Sequence, residues 1–213
     1  MSLFIKFKCY GHFYKIMSGE ITISRCRSQL DIINSDKIFY EQALEPDAVV
    51  VMMNPGTSRP EDSEYIEKEY QLLYLTLSEK EMVLAHPDET QKRIMRIMLA
   101  KGWKHVRVIN LSDIRQHVSE KLVAEIKNFN LYSNKMEHSI FSKLRRTELL
   151  KLIGNSSEKP ILFAWGTQDC LNHHAVECLK IIKGTGVKAK KEIHFQHPLT
   201  TRASWIKSIL KLI

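Results

Sequence analysis

Residues 48–62 read AVVVMMNPGTSRPED, and the architecture follows from the break inside them. An apolar run from Ala48 to Met53 stops at Asn54-Pro55-Gly56. A short, Val-rich run bounded by turn formers predicts a strand buried on both faces. Pro55 and Gly56 cannot extend it, so the chain turns there. Ser58 and Glu61 stand at capping-box spacing ahead of an acidic segment, which predicts a helix over 61–77. Ser78 and Glu81 repeat the spacing and predict another over 78–85. The stretch therefore delivers an asparagine to the carboxyl end of a buried strand, where open α/β sheets bind ligands.

Three later segments repeat that plan. HVRVI (105–109) predicts a strand ending in Asn110 and a polar turn with Ser112. PILFAW (160–165) predicts one ending in Gly166-Thr167, and EIHFQ (192–196) one ending in His197-Pro198. Helical periodicity fills the intervals. A helix over 87–101 carries Ile94, Ile97 and Met98 and is closed by Gly102. Others are expected over 119–129, 168–183 and 201–212. A longer one, capped by Asn134 with Glu137, is expected to run to Gly154 with Met136, Ile140, Leu144 and Ile153 on one stripe. Upstream, 3–8, 12–17 and 20–24 are β-prone and broken by Gly11 and Gly19, as in a small antiparallel meander. Residues 25–45 are less periodic, with room for a short helix. The alternation predicts one α/β domain over 1–213: a three-layer αβα core (46–213) with a mostly parallel sheet, and a β-rich extension (1–45) packed on it.

Composition narrows the class. With 44% hydrophobic and 26% charged residues among 213, the chain is expected to fold. No apolar run has the length of a membrane span, and MSLFIKFKCYGHFYK at the N-terminus lacks the pattern of a signal peptide. The expectation is a cytoplasmic protein with no membrane partner. Cys9, Cys26, Cys170 and Cys178 have no metal-binding spacing and are expected to be reduced and buried. His173 and His174 are adjacent, so on a helix they diverge by about 100° and cannot chelate one ion. Neither a metal nor another cofactor is expected. The net charge of +8 is uneven. Residues 46–90 hold three basic and ten acidic residues, a net of −7, whereas 91–213 hold 23 and nine, a net of +14. A basic body of this kind suits a nucleic-acid or nucleotide binder, and it equally suits lysines solvating helix faces.

In a parallel sheet the four strand ends share one edge, which brings together Asn54-Pro55-Gly56, Asn110 with Ser112, Trp165-Gly166-Thr167 and His197-Pro198. Each residue also has a structural role open to it. Asn54 can cap the turn, Asn110 can satisfy buried backbone, His197 can be a hydrogen-bonded core histidine and Trp165 can be packing. Asp88, Thr90 and Arg93 can be a helix start and an ion pair, or can aim Arg93 at a ligand phosphate.

Residues of about 46–205 resemble a bacterial domain family of unknown function. Its pattern is a strand ending in Asn-Pro-Ser, an Asp-x-Thr-x-x-Arg helix, an Asn-Leu strand, a Trp-Gly strand and a final His-Pro-Leu. Here the counterparts are Asn54-Pro55-Gly56, Asp88-Glu89-Thr90 with Arg93, Asn110-Leu111, Trp165-Gly166 and His197-Pro198-Leu199. Gly56 stands where serine is usual. The same ordered marks are more distantly similar to the uracil-DNA glycosylase superfamily, in its mismatch-specific and thymine-DNA branch. There the first strand ends in Asp-Pro, or in Asn-Pro-Gly in that branch, as in MNPG (53–56) here; an apolar strand ends in an Asn that reads the base, as VRVIN does at Asn110; a strand fLLWG resembles ILFAWG (161–166); and His-Pro-Ser-Pro-Leu-Ser resembles HPLTT (197–201). The Ser-Pro insertion is missing here, and Met52-Met53 replace the usual Gly-Gln.

That second resemblance implies a uracil-DNA-glycosylase-like fold and a set of roles. Asn54 would position a water, slowly, because an amide is no general base. His197 would donate to the departing base as it becomes negative. Asn110 would pair with an amide edge such as that of uracil. Pro55, Gly56, Ser112, Trp165 and Gly166 would line the substrate site, Leu199 would be the inserting wedge and Arg202 would meet backbone phosphate. Ser58, Thr167 and Arg93 are the phosphate candidates at helix starts. The leading expectation is a protein that cleaves or binds a nucleobase N-glycosidic unit in nucleic acid. The alternatives are a hydrolase or sensor for a small nucleoside or nucleotide, and a non-catalytic nucleic-acid module using the basic residues of 91–213, Arg145 and Arg146 among them.

Overall fold

Ala48–Met52 form β3, and all five side chains are buried, Val49, Val50 and Val51 completely. A strand with two buried faces needs a hydrogen-bonded neighbour on each edge. Both are parallel: β6 (His105–Asn110) on one side and β7 (Ile161–Ala164) on the other. The computed structural model describes residues 6–40, 45–75, 80–133, 135–154, 159–200 and 202–213.

Beyond β6 the pairing is antiparallel except for β4 at the edge, so the sheet is mixed rather than mostly parallel. The long strands β1 (Phe7–Ser18) and β2 (Ile21–Asn34) form a hairpin around Gly19, whose φ is 59°. β2 pairs antiparallel with β6. β4 (Lys68–Gln71) and β5 (Val83–Ala85) both pair with β1, the first parallel and the second antiparallel. The seven-stranded order is β4-β1-β2-β6-β3-β7, with β5 also on β1. The N-terminal segment is thus part of the main sheet instead of a three-piece meander. Gly11 does not break β1; a Cβ there would stand 2.7 Å from the Phe13 ring, so the strand needs glycine for close packing. Residues 25–34 lack apolar periodicity because buried polar groups replace it. Asp31, 1% exposed, accepts from Arg107 Nε at 2.9 Å.

Helices cover both faces. α1 (Glu89–Lys101) and α5 (Arg202–Leu212) set Ile94, Met98, Trp205 and Ile209 against Val50, Val108 and Leu162. On the other face α2 (Ser119–Tyr132), α3 (Arg146–Ile153) and α4 (Asn172–Ile181) set Leu122, Phe129, Leu149 and Cys178 against Val51, Ile109 and Phe163. α1 begins with a reciprocal capping box between Asp88 and Gln91 and ends at Gly102, with φ 71°. None of the described helices is long and apolar enough to cross a membrane.

Three helical expectations fail for identifiable reasons. Ser58 and Glu61 cap no helix; Ser58 is buried, Glu61 N–H donates to Leu84 O, and the acidic segment supplies β4. Its carboxylates pair across the fold, Glu67 with Arg115 and Glu69 with Lys15, rather than along a helix. Ser78 lies outside the described residues, while Val83–Ala85, the end of the second expected helix, is strand β5. The helix expected up to Gly154 is short: its cap Asn134 is outside the described residues, Met136 has φ 58°, Leu144 is 62% exposed, and α-helix begins only at Arg146. Ser139 and Ser142 hydroxyls donate to Leu111 O and Lys135 O, bonds that compete with helical backbone.

The expected strand 192–196 is not regular either. Thr185, in the Lys/Gly-rich connection, lies parallel beside Leu162 and exchanges hydrogen bonds with Ile161 O and Phe163 N–H. Phe195 folds back antiparallel onto Lys188 and Gly166. Glycine permits this approach, since a Cβ on Gly186 would stand 2.3 Å from Phe163 O. Gly186→Ala is therefore expected to destabilise the protein by about 1–3 kcal/mol, read from urea unfolding. An unchanged midpoint would mean that this segment is not held against β7.

Candidate functional site

The pairing of β6 with β3 continues past the end of both strands. Leu111 N–H donates to Met52 O at 2.8 Å and Ser112 N–H to Met53 O at 3.1 Å. The chain then turns at Pro55 and Gly56, with Gly56 at φ 63°. Asn54 Nδ2 donates to the carbonyls of Ile114 (3.1 Å) and Gln116, which ties the turn to the loop after β6. A carboxylate here would face two carbonyl oxygens, so the position requires an amide. The donor end is spent, and Oδ1 is left to face a ligand or water.

Asn54, Pro55 and Gly56 line a cleft of about 290 Å³ at this edge. Its other walls are the start of α1 (Asp88 to Gln91), His117, Arg27, and His197 with Leu199 from the loop before α5. Asp88 Oδ1 accepts from the Thr90 and Gln91 N–H groups, and Oδ2 would lie 3.7 Å from a Cβ on Gly56. Arg93 Nη1 donates to Pro198 O at 2.8 Å, fastening the His197 loop to α1. Gly166 takes a positive φ of 84°, and a Cβ added there would make only an ordinary contact with the His197 Cβ at 3.6 Å.

His197 is held in one tautomer. Its Nδ1 accepts from Leu199 N–H at 3.2 Å, so the neutral ring carries its proton on Nε2. Burial pushes its pKa down to about 4; nearby Asp88 opposes that shift and Arg93 adds to it. The ring is a neutral donor at physiological pH.

The remaining sequence candidates are scattered. Trp165 packs on the opposite face against Phe163 and Phe195, with Nε1 donating to Ile193 O. Ser112 is buried, its hydroxyl bonded to His138 Nδ1 at 3.0 Å. Ser58 is buried with an unpartnered hydroxyl, and no helix starts beside it. Thr167 is exposed, five residues ahead of α4. Arg202 begins α5, and its side chain lies outside the described residues. Arg145 offers no nucleic-acid contact: it is 4% exposed and bonded to Asp113 at 2.6 Å and Glu148 at 2.8 Å.

Asn110 is fully buried, level with Met52 in the sheet and on the α1/α5 face. Neither its Oδ1 nor its Nδ2 has a hydrogen-bond partner among the described residues. Arg27, His117 and Gln91 escaped the sequence reading. Arg27 belongs to a stretch with no apolar period, and the only signal for Gln91 was its place three residues after Asp88. Among the described residues no group of three His, Cys, Asp or Glu could hold a metal ion.

A family model described as a protein of unknown function, DUF1643, matches residues 62–199, well over half of the chain. No curated protein and no solved structure matches it significantly.

The His197 environment has a measurable signature. Its ring is expected to stay neutral on lowering the pH from 8 to 5 and to protonate near pH 4, followed by histidine NMR. A midpoint near 6.5 would show a solvated ring. Burial also pushes His12 down to about 3 and His174 to about 4. The unfolded chain takes up protons at these rings near pH 6.5, well before the folded one does. Their contribution to stability is therefore full above pH 6.5 and is lost as the pH falls toward 4.

Proposed function

The chain belongs to the DUF1643 family, whose activity is unknown, and we propose that its cleft binds a nucleobase and hydrolyses the N-glycosidic bond that carries it. The observation behind this reading is the pairing of two polar groups in one cleft. His197 is fixed as an Nε2–H donor, and Asn54 is left with only its oxygen to offer. When the bond between the sugar carbon and the base nitrogen breaks, its electron pair leaves with the base and positive charge gathers on the sugar. His197 Nε2–H meets a base oxygen as negative charge develops on it. Asn54 Oδ1 accepts a hydrogen bond from the water that adds to the sugar carbon, and that water's proton passes to solvent. An asparagine orients water without deprotonating it, so turnover is slow.

The similarity of the ordered marks to the uracil-DNA glycosylase superfamily, the fold to which we assign the parallel half of the sheet, supports the same reading. Asn110 has an unpartnered donor and acceptor that match an imide edge such as uracil's, but it is fully buried and outside the cleft lining, so the reading does not rest on it. A second reading, a free nucleoside or nucleotide as substrate, is favoured by Asp88 and Glu89 in the cleft wall, since carboxylates repel a polyanionic strand.

Base release from oligonucleotides carrying uracil, U·G, T·G or hypoxanthine, and from free nucleosides and nucleotides, tests both readings. His197→Gln is expected to slow release by about 10²-fold, and Asn54→Ala to slow it as well. Release that is undiminished in both variants would overturn the mechanism.

A further inference from the structure

We propose that Arg27 is the oxyanion seat of this cleft, and that the ligand presents a phosphate group to it. The inference rests on the reading of the cleft as a nucleobase site and adds the chemistry at the ligand's other end. Arg27, on β2, is 1% exposed, and its guanidinium Nε and Nη1 have no hydrogen-bond partner among the described residues. No described carboxylate forms an ion pair with it. The fold treats its other buried guanidinium groups differently. Arg107 bonds Asp31 and Leu152 O, while Arg145 bonds Asp113, Glu148 and Glu137 O. Those two are structural and satisfied; Arg27 has no ion pair among the described residues, and its Nε and Nη1 are buried without a partner.

The Arg27 stem lies beside Gly11, where an added Cβ would make an ordinary contact with Arg27 Cδ at 3.5 Å while clashing with the Phe13 ring at 2.7 Å. Arg27 reaches the cleft wall alongside Asn54, Asp88 and His197. Asp88 lies near enough to favour its charge, but Oδ1 of that carboxylate is engaged by the α1 backbone. Burial lowers the Arg27 pKa only to about 10, so the group is a cation at neutral pH. A desolvated cation with open donors is costly until an anion with matching acceptors arrives, and phosphate supplies both charge and acceptors. That phosphate can belong to a nucleoside monophosphate or to the backbone of a strand.

The test uses the whole protein with inorganic phosphate, the nucleoside 5′-monophosphates, their nucleosides, and a short single-stranded oligonucleotide. The Arg27 Nε–H resonance is expected to shift on adding phosphate, and a monophosphate to bind at least about 10-fold more tightly than its nucleoside. Arg27→Met should erase that ratio while leaving the ligand-free melting temperature unchanged or higher, because an unpaired buried charge is gone. Tighter binding of the monophosphate than of the oligonucleotide would identify a free nucleotide, and the reverse a strand. A ratio near one in the wild type, or one that survives Arg27→Met, would overturn the proposal. If Arg27→Met does not fold, the resonance decides, and its failure to move overturns the proposal. Base release is scored separately, so a protein whose Arg27 answers phosphate but which frees no base retires the hydrolytic reading alone.

Discussion

The complete burial of β3 is the constraint on which the rest depends. A strand with no solvent-facing side and no free edge must have its backbone groups matched by β6 and β7, and this fixes both registers. Met52 consequently lies level with Asn110 on one side and Ala164 on the other. The two hydrogen bonds beyond the strand ends, from Leu111 and Ser112, carry that alignment into the turn. Asn54 then uses its own amide to hold the loop after β6. The cleft is thus an extension of sheet pairing, walled also by the start of α1 and by the loops that carry His117 and His197.

The antiparallel half of the sheet is stabilised in another way. Its interior holds a polar lattice in which Tyr14 donates to Asp113, Arg145 spans Asp113 and Glu148, and Asp31 receives Arg107. Some buried polar atoms lack a partner among the described residues, Asp113 Oδ1 and Glu67 Oε2 among them, and so do the side-chain amide of Asn110 and Nε and Nη1 of Arg27. An unsatisfied buried polar group costs about 1–3 kcal/mol, and a lone buried charge costs more. Arg27 lines the cleft, whereas Asn110 is buried at the end of β6, outside the cleft lining.

Legibility along the chain followed the kind of signal each segment carried. β3, β6, β7 and α1 were plain because each is a local statement: an apolar run between turn formers, or a capped and glycine-closed apolar stripe. β2 beyond residue 24 was illegible because Arg27, Ser28, Gln29 and Asp31 are buried among its apolar side chains, and the partners of Ser28 and Asp31, His12 and Arg107, lie far away in sequence. Ser58 and Glu61 misled for the same reason; their spacing suits a helix, while the pairing of β4 with β1 makes the segment a strand. The cleft was half legible. Asn54, Gly56, His197 and Leu199 could be named because turn residues at strand ends mark the ligand-binding edge. Trp165 could not be assigned to a face without knowing on which side of β7 the alternation begins.

The sequence by itself determined an α/β chain with a buried central strand, the edge at which its polar turns gather, and an asparagine and a histidine at that edge. Hydrophobic period and turn chemistry are properties of neighbouring residues, so they can be read without coordinates. Only the tertiary structure decided that the sheet is mixed, that Asn54 spends its donor on a loop, that His197 carries its proton on Nε2, and that Arg27 reaches the cleft with no ion pair among the described residues. Each of these depends on which distant groups meet in a desolvated interior. The energy of a polar group is set there by the partner it finds, and no local pattern records that partner.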